Sequence, residues 1–195
     1  MDTDRKWVVV RIDGKIAAIS TDYRLLAAIS AAIKCQKTPA YDNISAETVG
    51  LDHIWELRRT VRWDDLMLFG TDFQKKVWRK LFELREEPSV PRLISYSDFA
   101  DLCQNRAGVR AVAHAIGLNP VSVIIPCHLV IPKESIDKIK AIRKRAESTI
   151  FKGDDLCMDS ILRDKGFDFG EYALGKKLKR LLIQMEFQSS PQAGG

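Results

Sequence analysis

Long apolar runs are missing from this 195-residue chain. Nothing in it approaches the roughly 20 consecutive apolar residues that a membrane span needs. Cysteine is sparse: Cys35, Cys103, Cys127 and Cys157 show neither close pairing nor CxxC spacing, which argues against a disulfide framework or a thiolate metal site. Free thiols in a reducing, intracellular compartment are expected. The opening "MDTDRKWVVVRIDGK" carries charge before and within its short apolar run, unlike a secretory signal. Internal repeats are also absent. What remains, with 46% hydrophobic and 29% charged residues, is an ordinary soluble globular composition. Its length suits one generous domain or two small ones.

Charge of one sign is in modest excess, with a formal net charge of +5. The basic residues concentrate at "KKVWRK" (75–80), "KIKAIRKR" (138–145) and "KKLKR" (176–180). Any one such run suits a solvated helix face. Three together suit a polyanionic partner such as nucleic acid.

"WVVVRI" and "KIAAIS" read as β-prone runs joined by Asp13-Gly14, the strongest short hairpin signal. "DYRLLAAISAAIK" reads as an amphipathic helix capped by Thr21 or Asp22, residues 36–50 as polar loop, and "LDHIWELRRTV" as a short helix. A small α+β domain is therefore expected over about 1–68, in which His53 is structural. A second unit follows over 69–188. Thr71 and Gln74 have the spacing of a capping box, with Phe73, Val77, Leu81 and Leu84 as the apolar stripe of the helix that follows. "SYSDFADLCQN" and "GVRAVAHAIG" outline a helix-turn-helix. In its second helix Val109, Val112, Ala113 and Ile116 face inward, while Arg110 and His114 share the other face with small Ala111. Residues 133–168 form a charged segment in which Ile136, Ile139 and Ile142 suggest one amphipathic helix. The closing helix turns Leu178, Leu181, Leu182 and Met185 inward, and 189–195 form a flexible tail. The fold class expected is α+β: a small N-terminal domain with a β-hairpin, then a mainly helical, winged-helix-like domain.

"IIPCHLVIP" (124–132) sets Cys127 between a proline and His128 inside an apolar run. A core strand with an incidental Cys-His pair and an activated thiol both fit these residues. On a regular strand the two side chains would point to opposite faces, so a working pair requires the segment to turn, which Pro126 and Pro132 favour. A thiol becomes a nucleophile beside a base, and a base is commonly oriented by a carboxylate. The acidic candidate on the closing helix is Glu186. Spacing alone leaves these roles open.

"RAVAHAIGLNPVSVIIPCHLVI", with "GTDFQKKVW" and "ISYSDFA" upstream and "GEYALGKKLKRLLIQME" downstream, resembles the O6-alkylguanine-DNA alkyltransferases, or methylated-DNA–protein-cysteine methyltransferases. The likeness covers about 68–132 and 168–187, with several blocks in the family order. It implies a single-turnover repair protein that flips O6-alkylated guanine out of duplex DNA and moves the alkyl group irreversibly to its own Cys127. On that resemblance His128 takes the thiol proton through a water, Glu186 orients His128, and Asn119 buttresses the turn before the active-site segment. Arg110 enters the minor groove and fills the gap left by the flipped base, with small Ala111 beside it. Tyr96 contacts the base and nearby backbone, its hydroxyl donating toward guanine N3. The carbonyls of Cys127 and Val130 accept from the exocyclic amine, the Ala173 amide faces O6, and Tyr172 walls the pocket. Gln74 and Asn105 match positions that touch the DNA backbone, and Lys179 matches a lysine of the closing helix. No metal or organic cofactor is implied. The partner is double-stranded DNA holding O6-alkylguanine, the protein a monomer without membrane attachment.

The chain departs from the family pattern at Leu129, where arginine is usual, and at Glu171 and Leu174, where smaller residues are common. The short glycine-rich hairpin that usually follows Pro-Cys-His is replaced by the segment 133–168, read foremost as a surface insertion. The alternative function is a non-catalytic module that binds alkyl lesions or regulates transcription. A cysteine hydrolase is disfavoured by the absence of an oxyanion-hole signature.

Overall fold

The structure is a computed structural model describing residues 5–21, 43–85, 93–147 and 154–188. The helix expected from "DYRLLAAISAAIK" and the expected flexible tail lie outside the described residues. Contacts divide the chain into two compact units that interleave along the sequence: residues 1–88 with 110–127, and 89–109 with 128–195. The sequence reading instead divides the chain consecutively, near residue 68.

In the first unit, β1 (Trp7–Ile12) and β2 (Lys15–Ser20) form the expected antiparallel hairpin. Asp13 and Gly14 both have positive φ, 49° and 80°, which is the backbone a two-residue primed turn requires. A third strand, β3 (Ile44–Val49), pairs antiparallel with β1 and gives the order β2-β1-β3. The sequence suggested loop here. Five of the six residues of β3 are exposed, so it carries no apolar alternation to announce it.

Helix α1 (Leu51–Thr60) buries Leu51, Ile54, Trp55 and Arg58. Helix α2 (Asp72–Glu83) starts at the expected capping box: the Gln74 N–H donates to Thr71 Oγ1 at 3.2 Å, and the Thr71 N–H donates to Gln74 Oε1 at 2.8 Å. Its buried face is Val77, Trp78, Leu81 and Phe82. Phe73 is 37% exposed, so the stripe is rotated from the expected one. The larger Trp78–Phe82 pair takes the core, and the Trp78 indole N–H donates to the Ala115 carbonyl at 2.8 Å. Ala115 lies on α4 (Val109–Gly117), with Val112 and Ile116 also buried. The segment after α4 bonds the outer edge of β2, through Ile19 N–H to Pro120 O at 2.9 Å and Ser122 N–H to Ile19 O at 3.1 Å.

In the second unit, β4 (Ile94–Ser95) and β5 (Val130–Ile131) pair in parallel. Helix α3 (Tyr96–Leu102) begins directly after β4, with Ser95 Oγ accepting the Asp98 N–H at 3.0 Å. The charged segment forms two helices, α5 (Lys133–Glu147) and α6 (Asp154–Arg163), where the sequence suggested one. Helix α7 (Lys176–Gln188) closes the unit and buries Leu178, Lys179, Leu182 and Ile183. Leu181 and Met185, expected inward, are half-buried. A buried lysine displaces the stripe because its ammonium has carbonyl partners, described below. The core cluster joins Leu93, Leu129, Ile131, Ile136, Ile139, Met158, Ile161, Phe167, Phe169 and Ile183. The architecture is α+β, and no described helix is long and apolar enough to cross a membrane.

Candidate functional site

The nucleophile candidate is set by backbone geometry in the first unit. Pro126 ends the apolar run, and Cys127 opens a 3-10 turn over Cys127–Leu129, so the segment turns. The Cys127 N–H donates to Ile125 O at 2.8 Å. Asn119, only 3% exposed, organises this loop with both ends of its amide. Its Nδ2 donates to Ile125 O at 2.8 Å and to Cys127 Sγ at 3.1 Å, while its Oδ1 accepts the Val121 N–H at 3.0 Å. An N–H aimed at sulfur supplies a donor as negative charge gathers there.

Between these anchors Val123 has φ of +75°. A β-branched side chain pays about 1–2 kcal/mol in that left-handed region. Its carbonyl accepts from Arg58 Nη1 at 2.7 Å, and the Arg58 guanidinium lies 5.2 Å from the Trp55 ring centroid. Sequence reasoning did not single out Arg58 or Val123. Neither has a local signal, since the pair is separated by 65 positions and is made by the fold.

The base candidate is set in the second unit. His128 is fully buried, and its Nε2 lies 2.7 Å from Glu186 Oε1 on α7. With Glu186 ionised, Nε2 carries the hydrogen and Nδ1 is the basic nitrogen of the neutral ring. Lys179 is 1% exposed and donates to Val130 O at 2.8 Å and to Glu171 O at 3.1 Å. It thereby ties the strand after His128 to the 170–175 loop that carries Tyr172 and Ala173. In that loop Gly170 has φ of +82°, and a Cβ there would sit 2.6 Å from Pro132 Cδ, so only glycine fits. Tyr172 is half-buried, its carbonyl accepting the Gly175 N–H at 2.9 Å, and Ala173 is exposed. The parallel pairs Ile94–Val130 and Ser95–Ile131 set half-buried Tyr96 one residue beyond the strand that follows His128.

Arg110, Ala111 and His114 are all exposed on α4. Val109 and Ala113, expected inward, are half-buried. Asn105 shapes the turn before α4: its carbonyl accepts the Gly108 N–H at 2.9 Å, and its side chain leaves no room for a Cβ at Gly108. Gln74 is half-buried and spends its side-chain oxygen on the cap of α2. Some of the basic residues are compensated locally. Arg79 and Lys80 both pair with Glu83, and the Lys80 contact is the main reason the Glu83 carboxyl titrates below its ordinary range. Among the described residues no group of three or more His, Cys, Asp or Glu gathers as a metal site would need.

Residues 72–147 match a family model described as the DNA-binding domain of 6-O-methylguanine DNA methyltransferase. The chain is 44% identical over 71 residues to a probable methylated-DNA–protein-cysteine methyltransferase of Acanthamoeba polyphaga mimivirus, covering 36% of this chain and 45% of that one. It is 47% identical over 64 residues to the inducible methylated-DNA–protein-cysteine methyltransferase of Bacillus subtilis, covering 33% and 34%. These matches therefore span less than half the length of either relative. In fold it resembles an O6-methylguanine-DNA methyltransferase from Pyrococcus kodakaraensis, with a TM-score of 0.51 at 18% identity, over 95% of this chain and 92% of that one.

Proposed function

We propose that this chain, whose residues 72–147 match the DNA-binding domain of 6-O-methylguanine DNA methyltransferase, is a member of that family and repairs O6-alkylguanine in duplex DNA by taking the alkyl group onto Cys127. The observation that carries the reading is the pair of prepared groups at consecutive positions: a cysteine sulfur with an amide donor on it, and a buried histidine aligned by a carboxylate.

In this reading Arg110 and Ala111, exposed at the start of α4, enter the minor groove, and Arg110 fills the space of the extruded nucleotide. Eversion costs a few kcal/mol, and a side chain in the vacancy offsets part of it. His128 takes the Cys127 proton through a water while Glu186 holds the ring and the charge it acquires. The thiolate sulfur forms a bond to the alkyl carbon as the carbon–O6 bond breaks. The electron pair passes into the guanine ring, where a hydrogen bond from Tyr96 to N3 improves the leaving group. The Cys127 and Val130 carbonyls accept from the exocyclic amine. Lys179 already occupies one lone-pair direction of the Val130 carbonyl, which fixes the other. Ala173 presents its amide to O6, Tyr172 walls the pocket, and Gln74 and Asn105 meet backbone phosphates. The thioether product is a poor electrophile, so each molecule acts once. The protein works as a monomer, without a cofactor, in a reducing intracellular compartment. Consecutive domains over 1–68 and 69–188 remain part of this proposal.

The test is intact-protein mass after mixing with an oligonucleotide duplex holding one O6-methylguanine. A gain of one methyl, lost in Cys127→Ser, is the expected result. A folded, DNA-binding chain that gains nothing refutes the reading in favour of a non-catalytic lesion-binding module.

A further inference from the structure

Helices α5 and α6 follow the Cys127–His128 segment, and their packing is specific. Helices α5 and α6 each bury one face, through Ile136 and Ile139 on α5 and Met158 and Ile161 on α6. The same cluster holds Leu129, the residue after His128, and Ile183, one turn before Glu186 on α7. Phe187, next to Glu186, packs against it as a partly buried member. The two residues of the His128–Glu186 pair thus sit at the margins of one apolar cluster that α5 and α6 fill.

A second, polar tie runs in parallel. Arg180 on α7 donates from Nη1 to Leu162 O at 2.9 Å and Asp164 O at 2.9 Å, and from Nη2 to Phe167 O. Its guanidinium stands 4.9 Å from the Phe169 ring centroid. The last carbonyls of a helix have no partners within it. Here one cation on α7 satisfies the end of α6 and the turn beyond it, and its charge suits the negative end of that helix. Ser135 on α5 adds a bond to Asp168 O at 2.6 Å, closing the segment on itself.

We propose that α5, α6 and the turn after α6 are a positioning brace for the base: through the Leu129–Ile161–Ile183 cluster and the Arg180 clamp they hold Glu186 on His128. Leu129 and the two helices form one device. An arginine at 129 has no place in the cluster, and without the helices a leucine there would be uncovered. Arg180 is a positioning residue, acting through α7 on Glu186 roughly 9 Å further along the axis. The brace touches no reacting atom.

The inference rests on the proposed alkyl transfer, and its test separates the two. Single-turnover methyl transfer from O6-methylguanine duplex, at saturating DNA, is measured for the wild type, Arg180→Gln, Arg180→Lys and Ile161→Val. Each substitution is repeated in a Glu186→Gln background, with the Kd for unmodified duplex measured alongside. Arg180→Gln is expected to slow transfer about tenfold with unchanged Kd, and Arg180→Lys, which can still donate to the carbonyls, to recover most of the loss. In the Glu186→Gln background the same substitution should add less than twofold, because its route to the chemistry is already cut. A merely destabilising change would slow both backgrounds alike, and that outcome, or no slowing at all, overturns the brace. Ile161→Val removes one buried methyl and no hydrogen bond. It should slow transfer two- to threefold with the same dependence on Glu186, and it decides the question if Arg180→Gln does not fold. A wild type that takes no methyl overturns the parent reading and this one with it; a wild type that transfers no faster than Arg180→Gln overturns the brace alone.

Discussion

Cys127 and His128 share a peptide bond, yet the two sides of that bond are held by different forces. Upstream, residues 119–127 bury Val121, Val123, Ile124 and Ile125, and polar partners fix the main chain between them. Asn119 grips Ile125 O and the Val121 N–H, β2 bonds Pro120 and Ser122, and Arg58 takes Val123 O. Downstream, Lys179 and β4 engage the main chain of residues 130–131, but the side chains beside His128 are set by volume, as Leu129 and Ile131 sink into the cluster with α5, α6 and α7. Hydrogen bonds are directional, so the first arrangement fixes where a sulfur points. Apolar packing is not directional, so the second fixes where an imidazole lies and leaves its rotation to Glu186. The same distinction says how each side breaks: one by orphaning a polar group, the other by changing volume or charge.

The largest effect is expected on the apolar side. Leu129→Arg puts a cation into a cluster where Leu129 is 3% exposed. Breaking or burying an unpaired charge costs about 3–5 kcal/mol, and denaturant melts should show a loss of that order. A variant as stable as the wild type would mean the cluster yields to the guanidinium, and the contrast between the two sides would be lost.

On the polar side Asn119→Ala orphans the buried Val121 N–H and removes one of the two donors to Ile125 O, which keeps the Cys127 N–H. An unsatisfied buried donor costs about 1–3 kcal/mol, and a loss of that order is expected. Methyl transfer to Cys127 should fall even under conditions where the variant is fully folded, because the sulfur loses its donor. Asn119→Asp keeps the acceptor for Val121 and should recover stability in part without recovering the rate.

How much of this was legible beforehand follows the same division. The hairpin at Asp13-Gly14, the cap at Thr71 and Gln74, and the buried faces of Ile136 and Ile139 are local signals, and each appears in the structure as expected. The pairing of His128 with Glu186 could be reached only through resemblance, because 58 positions separate them. Strand β3 went unread for want of a buried face, and the α7 stripe was misplaced because a buried Lys179 does not look apolar. Arg58 and Arg180 were illegible: an arginine that spends its donors on distant carbonyls looks, in sequence, like any surface cation.

A subtler effect distinguishes two fully buried valines of the polar side. Val121 and Val123 are both 0% exposed, but only Val123 has a positive φ. Replacing either by glycine forfeits a similar buried side chain and loosens the unfolded chain equally. At Val123 the substitution also relieves the left-handed strain, about 1–2 kcal/mol. Val123→Gly should therefore be less destabilising than Val121→Gly by about that amount in paired urea melts. Equal losses would show that the Arg58 contact holds the loop without strain.

The smallest effect lies at the exposed end of the braced segment and is visible only against pH. The Asp168 carboxyl titrates below its ordinary value of 3.8, chiefly because it accepts the Gly170 N–H, with Lys176 adding to the pull. A carboxyl whose folded pKa is depressed binds its proton more readily in the unfolded chain. Its contribution to stability is therefore complete above about pH 4 and fades as pH falls through that value toward the folded pKa. Asp168→Asn removes this contribution at every pH. The melting temperatures of variant and wild type should differ near neutrality and converge below pH 4, a small gap because the carboxylate is largely exposed to water. A gap that persists unchanged into acid would assign the difference to the turn's geometry rather than to its charge.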